Sequence, residues 1–407
     1  MEYILCIDLG TFCDNVLMKN AMHELKHKYK IVYLTDSKNN VSDDYIKVSF
    51  ETPKFFTQDE KIKVADTHRN FFVWSLTHLD DAYRALLWSL SIKKKIKRLL
   101  KQYNFKNISI LYPGLGTVWL LPKNLNIEVN ILYYSPGILC YNIPWIFDSI
   151  LKKPSYKLYA KKNYDYNKNS GINYLNRVAM LSNSDETVHE TMSKLNHIIC
   201  WDKSVVPKLD LVYKDNNVQY AGALISNDIK NTKPAFNDDL NAFIKSKKSI
   251  IYITFGTYGN SEELNKVLPK LIKLLGIYCE ENNYGVIYHA SNDKYQNISW
   301  LYKVNGFLKY EEVVPLCKLV IFTGSVCLQN ICLYNATPML MIPILVEQYF
   351  WSKNYKHFTG VQFIRTSSRF KFTMNDLKKA LKVNPYLKKV SKSMKNNDAA
   401  ANIAKLI

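Results

Sequence analysis

The residues best suited to chemistry gather at turns that follow short apolar runs. The run LVIFT at 319–323 ends in Thr323-Gly324-Ser325 and gives way to a helical pattern. The run MLMIP at 339–343 is followed by Glu347-Gln348 and a second helical stretch that closes at Gly360. A strand that turns directly into a helix aims backbone N–H groups and the positive helix end at one point, where an anion is held. Two such turns in succession make 319–361 the stretch around which the chain is organised. A third turn, Gly256-Thr257 after the run SIIYITF, has the same form. Its glycine lets the backbone approach an anion closely, and Thr257 can add a hydroxyl donor. Other chemistries find little support: the chain holds no P-loop glycine–lysine pattern, no Ser-His-Asp context and no zinc spacing. His23 and His27 stand four apart, a metal-compatible spacing, but Lys26 and Lys28 flank them and no third ligand is near, so they read as a solvated helix face.

These motifs resemble the donor-binding signature of the nucleotide-sugar-dependent glycosyltransferases of the GT-B fold. The branch with sterol and antibiotic glycosyltransferases is the one most similar. Its pattern runs H-G-G-A-G-T-T, then G-x-P, then P-x-x-x-D-Q. Here Thr323-Gly324-Ser325-Val326-Cys327-Leu328-Gln329 stands at the first, Pro338 near the second, and Pro343-x-x-x-Glu347-Gln348 at the third. The resemblance implies that Gly256, Thr257, Thr323, Gly324 and Ser325 face the diphosphate. It further implies that Phe307, in Asn305-Gly306-Phe307, stacks on the uracil ring, and that Glu347 and Gln348 read the sugar hydroxyls. Phe307 also reads as a core aromatic, and Glu347-Gln348 as a helix-start cap. The same resemblance makes Asp14 the catalytic base, because Gly10-Thr11-Phe12-Cys13-Asp14 matches the G-S-R-G-D loop of that branch in length and in its first Gly and Asp. Asp14 also stands immediately before an expected helix and suits an N-cap, where the helix dipole would keep it ionised and a weaker base. A His–Asp dyad is excluded, since the strand that would carry the acid ends Leu111-Tyr112-Pro113.

The central loop departs from the family pattern. Thr323 replaces the His, Val326 and Cys327 replace small residues, and Leu328 replaces a hydroxyl residue. Losing a charged or bidentate donor costs a phosphate site a few kcal/mol. Two functions therefore follow. One is a transferase moving a hexose from a UDP-type sugar to a small hydroxyl acceptor, with no metal and no cofactor beyond that co-substrate. The other is a catalytically degenerate GT-B scaffold, a pseudoenzyme serving as a binding or structural subunit that contacts nucleic acid or another polyanion.

Elements able to position such turns are legible along the chain. Apolar runs at 3–9, 30–34, 107–112, 127–134 and 197–200 alternate with helical stretches at 15–28 and 82–102, as βαβ units do. The pattern repeats after 248, with SIIYITF and a helix over 261–279. The fold class expected is α/β, two doubly wound Rossmann-like domains facing a cleft: an acceptor-side domain over 1–226, a linker over 227–247, a donor-side domain over 248–383, and closing helices over 384–407 that cross back to the first domain.

The 407 residues suffice for two such domains, and 47% hydrophobic with 22% charged residues is an ordinary globular balance. No apolar run reaches transmembrane length, and the amino terminus, acidic at Glu2, enters a strand pattern at once, so a cytoplasmic protein with eight free thiols is expected. The net charge of +20 favours a polyanion or a protein-complex partner, although Lys in excess throughout raises charge without building a site. The segment 151–176 interleaves Lys with Tyr and reads either as a basic-aromatic surface or as a solvated loop.

Overall fold

The computed structural model describes residues 1–8, 12–51, 79–111, 121, 126–133, 195–205, 218–225, 229, 234–256, 259, 261–290, 295–306, 308–343, 362–363 and 372–407. The chain divides into two compact units, the first holding the described residues up to Leu224 together with Asn397–Ile407, the second holding Ile225–Asn396.

In the first unit the strands are β1 (Glu2–Asp8), β2 (Tyr29–Asp36), β3 (Ile46–Phe50), β4 (Phe105–Leu111), β5 (Glu128–Tyr133), β6 (Asn196–Ile199) and β7 (Val218–Tyr220). They form one parallel sheet in the order β3-β2-β1-β4-β5-β6-β7. Ile4, Leu5, Ile7, Val32, Leu34, Ile108, Ile110, Ile131 and Leu132 are wholly buried, which is why these strands read as continuous apolar runs instead of alternating. Helix α1 (Phe12–Leu25) buries Leu17, Met18, Ala21, Met22 and Leu25 at helical spacing, and α2 (Leu79–Gln102) buries Ile92, Ile96 and Leu99 while Lys94, Lys97, Arg98 and Lys101 face water.

In the second unit β8 (Ser249–Gly256), β9 (Tyr284–Ala290), β10 (Leu301–Lys303), β11 (Cys317–Phe322), β12 (Met339–Met341) and β13 (Gln362–Phe363) form a parallel sheet in the order β10-β9-β8-β11-β12-β13. Its helices are α3 (Asp238–Ser246), α4 (Glu262–Asn282), the single turn α5 (Tyr310–Val313), α6 (Val326–Tyr334), α7 (Met374–Ala380) and α8 (Pro385–Lys395). The core joins Ile251, Ile253 and Phe255 of β8 to Leu264, Val267, Leu268, Leu271 and Leu275 of α4. Helix α4 is bounded by its own chemistry: the Ser261 hydroxyl accepts from Leu264 N at 3.3 Å, and Asn283 in the left-handed region ends it.

Both sheets run outward in both directions from a first strand, the doubly wound arrangement of a Rossmann-like domain. The architecture is α/β with two such domains. Two details differ from the sequence expectation. A helix, α3, lies within the stretch expected to be linker; the Asn237 side chain caps it at 2.8 Å, Asp238 and Asp239 sit in its positively charged first turn, and Leu240 is buried. Strand β3 is absent from the apolar runs read in the sequence, because its residues are mostly exposed and no such run announces it. The Lys-Tyr segment 151–176 lies outside the described residues.

The last helix, α9 (Ala399–Leu406), belongs to the first unit. It buries Ala399, Ala400, Ile403 and Ala404, packs on α1, and is tied down by Asn402 Nδ2 donating to Ala221 O (2.8 Å), Tyr29 OH donating to Ile407 O (2.9 Å) and Lys28 Nζ donating to Ala404 O. A cation at that helix end is also favoured by the dipole.

Candidate functional site

In a doubly wound sheet, ligands sit beyond the carboxyl ends of the strands, where the strand order reverses direction. In the second unit that point lies between β8 and β11. Phe322 pairs with Thr254, so two residues further on the chain reaches Gly324 on one strand and Gly256 on its neighbour. Strands pair at about 4.8 Å, so the two glycines face one small region. Both take positive φ, +52° at Gly256 and +106° at Gly324, which side-chain-bearing residues adopt only with strain. Gly256 is exposed, and among the described residues a Cβ added there would meet nothing within 4 Å.

Beyond Gly324, Ser325 is the N-cap of α6, yet its side chain makes no capping hydrogen bond to the helix. The first N–H groups of a helix lack intrahelical partners, so the α6 terminus offers donors and positive potential at the switch point. Gln329 holds the turn from within: its buried amide donates to Gly324 O at 2.5 Å, and its backbone N–H donates to Ser325 O at 3.0 Å. Thr323 is buried. Leu328, the alkyl residue at a hydroxyl position of the family pattern, is also buried, while Val326 and Cys327 are partly exposed. On the far side of β11, Ile342 N donates to Phe322 O at 2.7 Å and brings Pro343 to the same sheet edge.

Of the residues singled out by sequence, Gly256, Thr323, Gly324 and Ser325 come together at this edge. Thr257, Phe307, Glu347 and Gln348 lie outside the described residues. Asp14 lies in the first unit, and its backbone is the third residue of α1, which begins at Phe12. This corrects the expectation of a helix starting after Asp14, and with it the N-cap reading; the first-turn position keeps Asp14 within reach of the dipole.

Two polar groups escaped the sequence reading. At the end of β1, Asp8 is almost fully buried and accepts from Tyr33 OH at 3.0 Å, while Asn15 Nδ2 donates to that hydroxyl at 2.7 Å. Burial, reinforced by the Asp8 carboxylate, pushes the Tyr33 phenol well above its ordinary range. An acid closing an apolar strand run was the available signal. At the end of β9, His289 lies between Tyr252 OH (2.8 Å from Nδ1) and Gly306 O (2.9 Å from Nε2). Burial lowers its pKa below the ordinary histidine value, and the hydrogen bond to Gly306 opposes that shift in part. No local pattern marks His289, because its partners come from two other elements.

Among the described residues no group of His, Cys, Asp and Glu could hold a metal ion, and Cys6, Cys200, Cys279, Cys317, Cys327 and Cys332 are free thiols. Burial pushes the Cys279 thiol up to about 12. Among them, too, no helix is long and apolar enough to cross a membrane.

No protein-family model matches the chain, and no curated protein matches it in sequence. Its structure is similar to many solved ones. The glycotransferase of kitacinnamycin superposes with a TM-score of 0.63 at 11% identity, over 100% of this chain and 97% of the other. Phytolacca americana UGT2, complexed with UDP-2-fluoroglucose and pterostilbene, gives 0.65 at 11%, over 100% and 98%. CalG4, the calicheamicin glycosyltransferase, gives 0.64 at 9%, over 100% and 96%. The fold is GT-B. At such identities the likeness concerns architecture, and it extends over the whole GT-B chain.

Proposed function

We propose that this GT-B protein is a glycosyltransferase that moves a hexose from a UDP-type sugar to a small lipophilic or phenolic hydroxyl acceptor. The observation that carries the reading is the pair of positive-φ glycines, Gly256 and Gly324, side by side at the switch point, with Gly256 exposed. Backbone N–H groups there, with the α6 terminus and the Ser325 hydroxyl, would neutralise the diphosphate as the bond from the sugar C1 to its oxygen breaks. Asp14 would take the proton of the acceptor hydroxyl as its oxygen bonds to C1. Thr257 and Thr323 would line the diphosphate, Phe307 would stack on the base, and Glu347 and Gln348 would read the sugar. The burial of Leu328 supports a usable loop, since that alkyl group is packed away from solvent. The reading requires no metal and no cofactor besides the nucleotide sugar. A cytoplasmic setting belongs to it as well.

The reading is tested by calorimetric titration with UDP and UDP-glucose, for which saturable binding below millimolar is expected. In the same titration Asp14→Asn should retain donor affinity and lose turnover; unchanged turnover would remove Asp14 from the mechanism. The second reading, a degenerate scaffold contacting a polyanion, draws support from α8, where Lys388, Lys389, Lys392 and Lys395 are exposed with no acid along the helix. Tight, salt-dependent binding of DNA or RNA without UDP binding would favour it.

A further inference from the structure

Neither donor binding nor the packing of the fold accounts for the lysines of α8. Lys388, Lys389, Lys392 and Lys395 are exposed, and the helix carries no acid. Among the described residues none of the four forms an ion pair. The general excess of Lys in the chain does not explain them, because α4 in the same unit sets Lys266, Lys270 and Lys273 against Glu262, Glu263, Glu280 and Glu281. The helix dipole favours Lys392 and Lys395 in the last turn of α8, but it disfavours Lys388 and Lys389 near the start. Lys388 and Lys392, four apart, also repel each other along the helix surface. Folding alone would gain from a carboxylate here.

At 3.6 residues per turn the four lysines fall within about a third of the helix circumference, opposite Leu387, Val390 and Met394, and they span about 10 Å of its axis. Those three apolar side chains are buried, α8 packs on α6, and the Ser391 hydroxyl donates to Tyr334 O at 2.5 Å. The basic face is thus held outward by a fixed helix. A lipid surface is a poor partner for it, because an interfacial helix must bury an apolar face in the membrane and this one is spent on the protein. On the flank of the lysines, Tyr386 stands three residues before Lys389 and is 62% exposed. Ammonium groups attract phosphates, and an aromatic ring left in water beside them offers a platform for an unpaired base. In a duplex the base faces are stacked on one another, and Tyr386 would have no counterpart. Lys395 Nζ stands 5.3 Å from the centroid of the Tyr334 ring, so Lys388, Lys389 and Lys392 are the cations left to a ligand.

We propose that the exposed face of α8 binds single-stranded nucleic acid without regard to sequence, with Lys388, Lys389 and Lys392 on phosphates and Tyr386 stacked on a base. The inference rests on the reading of the protein as one that contacts a polyanion, and gives that contact a place and a partner. It holds whether or not the glycine pair of the same unit binds a nucleotide sugar.

The test is fluorescence anisotropy of a labelled oligothymidylate with the full chain, repeated over a range of salt. Wild type should bind this strand more tightly than a duplex of the same length, with affinity falling as salt rises. Lys388→Gln combined with Lys392→Gln should weaken binding about tenfold and reduce the salt slope by about 1.4, the share of two phosphate contacts on a single strand. Tyr386→Ala should weaken it about tenfold with the slope unchanged, and Tyr386→Phe should recover the loss. Lys94→Gln combined with Lys97→Gln makes the same charge change on α2 and should leave binding within about twofold. Every substituted side chain is exposed, so the variants should keep the fold. Equal losses from the α2 and α8 pairs overturn the inference and leave the polyanion reading, because they signal diffuse attraction. Tighter binding of the duplex overturns it, and so does displacement by poly-glutamate as effective as displacement by the unlabelled strand, which would point to an acidic protein. A chain that binds UDP but no oligonucleotide removes the inference and leaves the transferase reading intact.

Discussion

Gln329 holds the turn at Gly324 from within the second unit. Its buried amide reaches back five residues, past Cys327 and Val326, to hold the Gly324 carbonyl. Gln329→Leu keeps the volume but orphans that buried acceptor, so it should destabilise the second unit by about 1–3 kcal/mol. Urea unfolding followed at an aromatic of the second unit measures this, and a variant as stable as wild type would show that the bond holds nothing. The contrast with Ser325 is instructive. Both lie at the start of α6, but the Gln329 side chain is spent on the loop, while the Ser325 side chain makes no capping hydrogen bond to the helix.

At the level of elements, much of the architecture is legible in the chain because parallel strands buried on both faces must be written as unbroken apolar runs. SIIYITF, LVIFT and YILCIDL announce β8, β11 and β1 in this way. Edge strand β3 is hidden because exposure removes the requirement, and α3 is hidden because its stability comes from a cap and a few packed residues in a polar stretch. The glycine turns of the site were legible for the same reason the strands were: φ above zero demands a residue type. His289 and the bond made by Gln329 were not, since each is defined by a partner that lies away from it in the chain, whereas Asp8 had a signal in the acid that closes an apolar run. Local signals do carry energy where they exist. Ser261→Ala, which deletes the cap of α4, should cost about 1 kcal/mol, read as a lowered unfolding midpoint; an unchanged midpoint would mean that the buried Ser261 hydroxyl is dispensable to the helix.

For the whole molecule, the decisive feature is that the chain comes back to the first unit at Asn397–Ile407, after Ile225–Asn396 have built the second. Deleting Asn397–Ile407 should strip α1 of its packing partner, uncover apolar surface including Ile403, and lower the melting transition of the first unit while sparing the second. Two transitions that shift together, or none that shifts, would contradict this division of labour. The same arrangement has a consequence for biosynthesis. A ribosome has produced every residue of Ile225–Asn396 before it releases the segment that the amino-terminal unit awaits. The unit begun first is thus the unit finished last, and a frameshift or premature stop just before Asn397 would injure the first unit and spare the second.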